Sequence, residues 1–142
     1  NMTALAFLTG ALEIRRKNKM DAFTIMSCDN LQGNGNLTKK LMLDYSSLYS
    51  ENLAAWIEDN VSFPNSMVDR ITPMTTQADV DELKNDWGIH DEWPVVAEDF
   101  TQWVVDDAFK QGRPEWEAAG AMIVKDVIPY EKMKLSLLNG SH

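Results

Sequence analysis

The chain has 142 residues, which is the length of one domain and enough to bury a sizeable core. With 22 acidic against 13 basic residues its formal net charge is −9, and because such a surface repels nucleic acid and anionic membranes, neither is expected as a partner. A single cysteine excludes an intramolecular disulfide and fits a cytoplasmic location, and no apolar run reaches the roughly 18 residues that cross a bilayer.

Helices and short apolar segments alternate along the chain. Apolar side chains at helical spacing predict helices over residues 3–18 and 37–59. A third helix, over residues 77–87, is acidic at its start, as the helix dipole prefers. Short apolar runs predict extended segments at residues 23–28, 61–63, 68–71, 95–98, 100–105 and 121–127. This alternation is typical of α/β proteins with a largely parallel sheet. A last helix of different character begins at Pro129, and we therefore place a domain boundary between residues 1–128 and 129–142.

Two glycines, Gly33 and Gly35, stand between a predicted strand and a predicted helix, as in a dinucleotide-binding loop. The third glycine of that fingerprint is missing, because Thr38 occupies its position. The pattern instead predicts a tight turn into the helix, with Asn36 as the N-cap.

Four polar residues share one side of the last helix. On a wheel of about 100° per residue, an arc of roughly 140° contains Glu131, Lys134, Asn139 and His142. The helix is apolar on most other sides, so we expect it to be buried. Burial makes an ammonium group easier to deprotonate, and an amine beside an amide and an imidazole suits proton transfer with an alcohol or a carbonyl. Alternatively, only the stem of Lys134 is buried and its charged end reaches water.

Three other polar positions each allow two interpretations. Asn30 follows the first predicted strand, where ligands of open α/β sheets bind, or its side chain closes a local turn. Asp69 faces a site or forms an internal salt bridge. His90 has acidic neighbours but neither a second nearby histidine nor a cysteine, so its loop is predicted to be solvated and not a metal site.

Five stretches, in this order, resemble the motifs of the mannitol dehydrogenase family, the long-chain polyol-specific dehydrogenases. They are residues 27–35, 61–73, 100–106, 112–114 and 129–142, and together they span nearly the whole chain. The resemblance implies the later part of a Rossmann-type nucleotide-binding domain, followed by the first helix of a mainly helical substrate domain. It also implies interconversion of a polyol and a ketose with NAD or NADP, without a metal.

The resemblance further implies roles for individual residues. Lys134 matches the general base of the family, and Asn30 and Asn139 match the amides that hold the reacting oxygen. His142 matches the active-site histidine that closes the lysine motif. The role of Asn30 implied by the family replaces the local-turn interpretation.

Two carboxylates complete the implied site. Glu131 matches a group that passes the proton from the lysine to solvent, and Asp69 matches a residue of the substrate pocket. The chain departs from the family pattern at Asp99 and Ser136, neither of which is an implied catalytic position.

Both ends of the chain look cut, and a cofactor phosphate loop would lie upstream, so we expect a fragment of a longer enzyme that is inactive alone. A hexuronate (fructuronate or tagaturonate) reductase of the same family is the alternative enzyme. A non-catalytic α/β interaction module is the alternative from another class, if 142 residues are the whole product.

Overall fold

The computed structural model describes residues 3–138. In chain order the elements are α1 (Ala4–Lys17), α2 (Asn34–Ser47), α3 (Glu51–Asn60), β1 (Ser66–Asp69), α4 (Gln77–Trp87), β2 (Gln102–Asp106), a 3₁₀ turn (Trp116–Ala119), β3 (Met122–Val124), α5 (Ile128–Met133) and a π-helix (Lys134–Leu138). The mixture confirms the predicted α/β class, and α1 and α4 confirm two of the predicted helices.

The long helix predicted over residues 37–59 is wrong, because the structure has two helices there, α2 and α3. Serine side chains account for the break. Ser46 Oγ donates to the carbonyl of Met42 at 2.6 Å, and Ser50 Oγ accepts from the N–H of Leu53 at 3.3 Å as the N-cap of α3. Hydroxyls that bond the backbone in this way favour helix ends over helix interiors.

The sheet has three strands in the order β1-β2-β3. β2 and β3 are parallel, with Val104 opposite Met122 and Val105 opposite Ile123. This pairing agrees with the expected parallel sheet, and both strands lie close to predicted segments.

Three predicted strands are wrong, because residues 23–28, 61–63 and 95–98 form no regular strand within residues 3–138. The first two segments are partly buried, as their apolar residues require, and Ile25 and Val61 belong to the core. Only a short link joins them, from the N–H of Ile25 to the carbonyl of Ser62 at 3.0 Å. Apolar runs report burial, and a strand additionally needs a ladder of backbone partners.

Two apolar clusters hold the elements that surround the site. Leu12, Met42 and Ile57 are fully buried between α1, α2 and α3. Met67 of β1, Val104 of β2 and Val127, which precedes α5, form the second cluster. Each such side chain contributes about 1.5–3 kcal/mol by burial. The second cluster therefore fixes the start of α5 against β1.

The last helix differs from the prediction in its second half. α5 begins at Ile128, with Pro129 in its first turn as expected, but the chain continues from Lys134 as a π-helix. Positions after Met133 therefore do not follow the regular wheel. Asn139 and His142 lie outside the described residues, so their predicted places on that wheel stay predictions.

Contacts divide the chain into two compact units. One contains the residues up to Val68 together with those from Trp103 onward, and the other is Asp69–Gln102. In the second unit, Thr76 and Asp79 form a capping box at the start of α4, and Gly88 ends the helix in a left-handed conformation. No helix among residues 3–138 is long and apolar enough to cross a membrane.

Candidate active site

Lys134 is the centre of the candidate site. Its residue surface is only 8% exposed, which confirms the predicted burial and makes the interpretation with a solvated charged end wrong. Its Nζ donates to Asn30 Oδ1 at 3.0 Å and to the carbonyl of Val68 at 2.6 Å. The apolar second cluster and β1 therefore place the amine of a buried lysine against two neutral oxygens.

The contact with Lys134 fixes the orientation of the Asn30 amide. An ammonium group only donates hydrogen bonds, so the carbonyl oxygen of the amide must face Nζ. The Nδ2 end then points away from Lys134 and can donate to an oxygen of a ligand. Asn30 is exposed, and its side-chain oxygen contacts Lys134 instead of closing the local turn. The N–H of Asn30 donates to the carboxylate of Asp29 at 2.9 Å.

The Asn30 amide oxygen and the Val68 carbonyl both accept from the Lys134 amine and so orient its nitrogen. A neutral amine has two N–H groups, which these two oxygens can accept, and its lone pair is the position that takes up a proton. The arrangement thus orients one nitrogen for proton exchange without holding it in an ion pair with either oxygen.

Glu131, one turn before Lys134, is also buried, with 6% of its surface exposed. Its Oε1 accepts from the N–H of Gly33 at 3.0 Å, immediately before α2. Gly33 has φ +60°, a left-handed conformation that glycine adopts readily. Because a helix N-terminus favours negative charge, the carboxylate stabilises α2 and joins α5 to the turn behind Asn30.

The glycine turn is closely packed against the segment that precedes β1. A Cβ on Gly35 would lie 2.5 Å from the carbonyl oxygens of Phe63 and Pro64, so only glycine fits there. The predicted N-cap at Asn36 is wrong, because α2 begins two residues earlier at Asn34 with Gly33 as its N-cap. The N–H of Asn36 donates to another side chain, Asn65 Oδ1, at 3.1 Å.

A pocket of about 50 Å³ opens beside these groups. It is lined by loop residues 29–32, by residues 66–68 of β1, and by Glu131, Lys134 and Leu135. Binding pockets for whole small molecules measure about 300–1,000 Å³, whereas a single water needs about 10–15 Å³. The pocket therefore has room for the reacting atoms of a ligand or a few waters.

Two sequence candidates lie in the other unit. Asp69 is half-buried at the end of β1, directly after Val68, and makes interactions of its own, so its role at a substrate pocket stays a prediction. His90 is exposed, and among residues 3–138 no three His, Cys, Asp or Glu side chains lie close enough together to hold a metal ion.

The sequence did not reveal three groups beside the site. The carbonyl of Val68 carries no signal, because every residue has one. Asn34 and Ser66 are buried and hydrogen-bonded to each other. The sequence gives no signal for Ser66, and for Asn34 the only signal is its position between two glycines.

The fold and this site define a class, a Rossmann-type α/β domain with a lysine and an amide at its edge. Residues 2–118 match the family model for the mannitol dehydrogenase Rossmann domain. The chain belongs to the mannitol dehydrogenase family, which confirms the resemblance seen in its motifs.

Individual relatives agree over nearly the whole chain. A mannitol 2-dehydrogenase of Emericella nidulans is 50% identical over 99% of this chain and 28% of its own length. A D-mannonate oxidoreductase of Escherichia coli is 45% identical over 99% of this chain and 29% of its own length. The structure of Pseudomonas fluorescens mannitol 2-dehydrogenase in ternary complex with NAD and D-mannitol superposes with a TM-score of 0.91 at 52% identity, covering 99% of this chain and 28% of that one. The chain thus spans less than a third of the length of these relatives.

Proposed function

We propose that this chain is part of an NAD(P)-dependent polyol 2-dehydrogenase that interconverts a polyol and a ketose, of the mannitol and fructose type. The observation that carries the proposal is the buried Lys134 amine, 3.0 Å from the Asn30 amide oxygen. Family membership and the relatives named for mannitol support the substrate class. As in those relatives, the activity belongs to a longer protein.

In the proposed reaction Lys134 is the general base. In the oxidation direction it takes the hydroxyl proton of the substrate, while the carbon that carries this hydroxyl gives up a hydride to NAD or NADP. Asn30 Nδ2 donates to the substrate oxygen as negative charge develops there, and one such donor contributes about 2.7–4 kcal/mol. Asn139 supplies a second amide and His142 the closing histidine in this proposal.

Glu131 is proposed to pass the proton from Lys134 towards solvent. It lies one helical turn before Lys134, and both side chains line the same pocket, which has room for water. Asp69 is proposed to contact the substrate. Residues 1–128 and 129–142 are proposed to belong to two domains of the whole protein, which we expect in the cytoplasm.

NAD or NADP supplies the hydride acceptor when it is bound. The lysine and amide fit the proton half of such an oxidation. The glycine turn does not fit the phosphates, because the N–H groups of Gly33 and Asn36 already donate to Glu131 and Asn65. A carboxylate at that helix end would also repel a pyrophosphate.

The test compares Lys134→Ala with Lys132→Ala in the full-length protein. Lys132 is exposed on the same helix and serves as the matched control. We expect Lys134→Ala to lower kcat for D-mannitol oxidation by about 10²–10⁴-fold, the contribution of a general base, with unchanged NAD affinity. Lys132→Ala should oxidise at the parent rate. Normal oxidation by Lys134→Ala would remove the lysine from the mechanism.

A hexuronate reductase is the second candidate, supported by the 45% identity to the D-mannonate oxidoreductase. Assays of the full-length protein with D-mannitol and D-mannonate, each with NAD and with NADP, separate the two. Higher kcat/KM for mannitol supports the polyol enzyme, and higher kcat/KM for mannonate supports the reductase. No turnover of either would favour the non-catalytic module.

A further inference from the structure

Behind the lysine and its amide partner lies a buried polar pair, Asn34 and Ser66. Asn34 is only 1% exposed. Its Nδ2 donates to the carbonyls of Asp29 at 2.9 Å and Ser66 at 2.8 Å, and its Oδ1 accepts from the N–H of Ser66 at 2.9 Å. Both ends of this amide, its Nδ2 and its Oδ1, therefore bond to main-chain groups.

The side chain of Ser66 extends the same connection. Its Oγ donates to the carbonyl of Ser27 at 2.6 Å and lies 3.4 Å from Asn34 Nδ2. Ser66 therefore bonds the carbonyl of Ser27, and Asn34 bonds the carbonyl of Asp29, so that the pair connects residues 27–29 to β1. Asn30, whose amide contacts Lys134, directly follows the Asp29 carbonyl that Asn34 holds.

Strand geometry links this pair to the lysine. In an extended strand the carbonyls of residues i and i+2 point to the same edge. The Ser66 carbonyl accepts from Asn34, and the Val68 carbonyl, two residues on, accepts from Lys134. The Asn34 amide and the Lys134 amine thus occupy successive hydrogen-bonding places along one edge of β1.

We propose that Asn34 is a positioning residue for the reaction at Lys134. By bridging the Asp29 carbonyl and Ser66, it fixes the distance between Asn30 Oδ1 and the Val68 carbonyl, the two oxygens that orient the lysine amine. Asn34 itself contacts neither the amine nor the substrate in this arrangement. The inference rests on the proposed function of Lys134.

The neighbouring Asn65 provides a matched control. It is 9% exposed and also joins α2 to the strand region, since its Oδ1 accepts from the N–H of Asn36 and its Nδ2 donates to Asp106 at 2.9 Å. Its hydrogen bonds reach neither Asn30 nor Lys134. Asn34→Ala and Asn65→Ala each remove a buried amide that bonds near the start of α2.

The experiment measures kcat, the KM for NAD, and Tm for both variants in the full-length protein. A misplacement of about 1 Å costs on the order of 10²-fold in rate, so we expect Asn34→Ala to lower kcat by about 10–10²-fold with little change in the KM for NAD. Asn65→Ala should lower Tm similarly and keep kcat within about twofold. Equal losses of kcat in the two variants would overturn the inference.

A double-mutant cycle with Lys134→Ala shows whether Asn34 acts through the lysine. In the Lys134→Ala background we expect Asn34→Ala to change the remaining rate by less than about twofold, although its effect on Tm persists. The same loss of rate in both backgrounds would contradict a positioning role. Normal activity of Lys134→Ala alone would instead refute the proposed function.

A second variant keeps the test decisive if Asn34→Ala does not fold. Ser66→Ala removes the hydroxyl that donates to the carbonyl of Ser27 and accepts from Asn34 Nδ2 at 3.4 Å, and it retains the main-chain partners of Asn34. We expect a loss of kcat that disappears in the Lys134→Ala background. An unchanged kcat together with a lowered Tm would assign the pair to stability alone.

Discussion

The candidate site and the unit Asp69–Gln102 are held together in opposite ways. At the site, hydrogen bonds join residues far apart in sequence: Lys134 to Asn30 across 104 positions, and Gly33 to Glu131 across 98. In the second unit, Thr76 bonds Asp79 three residues on, and α4 has no buried residue. The site therefore depends on the whole core, whereas α4 depends mainly on its own caps.

From this contrast we expect Gly35→Ala to lower the free energy of unfolding more than the other substitutions considered below. The added methyl would lie 2.5 Å from two main-chain oxygens at Phe63 and Pro64, which cannot move aside as a side chain would. We expect a loss of about 1–3 kcal/mol in the free energy of unfolding, measured by urea denaturation. Gly10→Ala is the control, because its Cβ would meet nothing within 4 Å, and equal losses in both variants would contradict the close-contact explanation.

Glu131→Gln should have a smaller effect on stability. Glutamine keeps an acceptor for the N–H of Gly33 but removes the negative charge at the start of α2, at a cost of about 0.3–1 kcal/mol by urea denaturation. If the carboxylate passes protons, kcat for polyol oxidation should fall between the values of Lys134→Ala and Lys132→Ala. A kcat equal to that of the parent would contradict the proton-transfer role, and Glu131 would then only stabilise the start of α2 through Gly33.

The smallest expected effect lies in α4 and depends on pH. The hydrogen bonds from the side chain and the N–H of Thr76 hold the pKa of the Asp79 carboxyl below its usual value of 3.8. A lowered pKa stabilises the folded state above pH 3.8, and that stability is lost as pH falls through the lowered value.

Hydrogen-exchange protection factors for residues 77–87 measure this effect. They should be constant above pH 3.8 and decrease below it. In Asp79→Asn the protection should be reduced already at neutral pH and change little with acid. Protection in the parent that is independent of pH would exclude the cap as its source.

The same contrast explains what the sequence could predict. The bounds of α4 were predicted correctly, since its acidic first turn is a local signal, and the structure adds a capping box and Gly88, which are also local in sequence. The break between α2 and α3 was missed because apolar spacing continues through it. The missing strand at residues 23–28 and the π-helix at Lys134 depend on partners that a local pattern does not contain.

The sequence and the family resemblance predicted that Lys134 and Asn30 belong to one site, but not how that site is built. The burial of Lys134 followed from the apolar character of the last helix, and the place of Asn30 beside it followed from the family resemblance. The catalytic roles of the two residues stay predictions. The Val68 carbonyl and the Asn34–Ser66 pair could not be predicted, because hydrogen bonds to main-chain groups of distant residues leave no pattern in the sequence.

The central claim is that the Lys134 amine takes the proton of the substrate alcohol, and chemical rescue tests it most directly. Single-turnover oxidation of D-mannitol by full-length Lys134→Ala is measured with NAD and increasing concentrations of small primary amines. The account predicts that the rate rises with the amine concentration and with its basicity, while Lys132→Ala does not respond. A rate in Lys134→Ala that stays low and independent of every amine, or that is already normal without one, would contradict it.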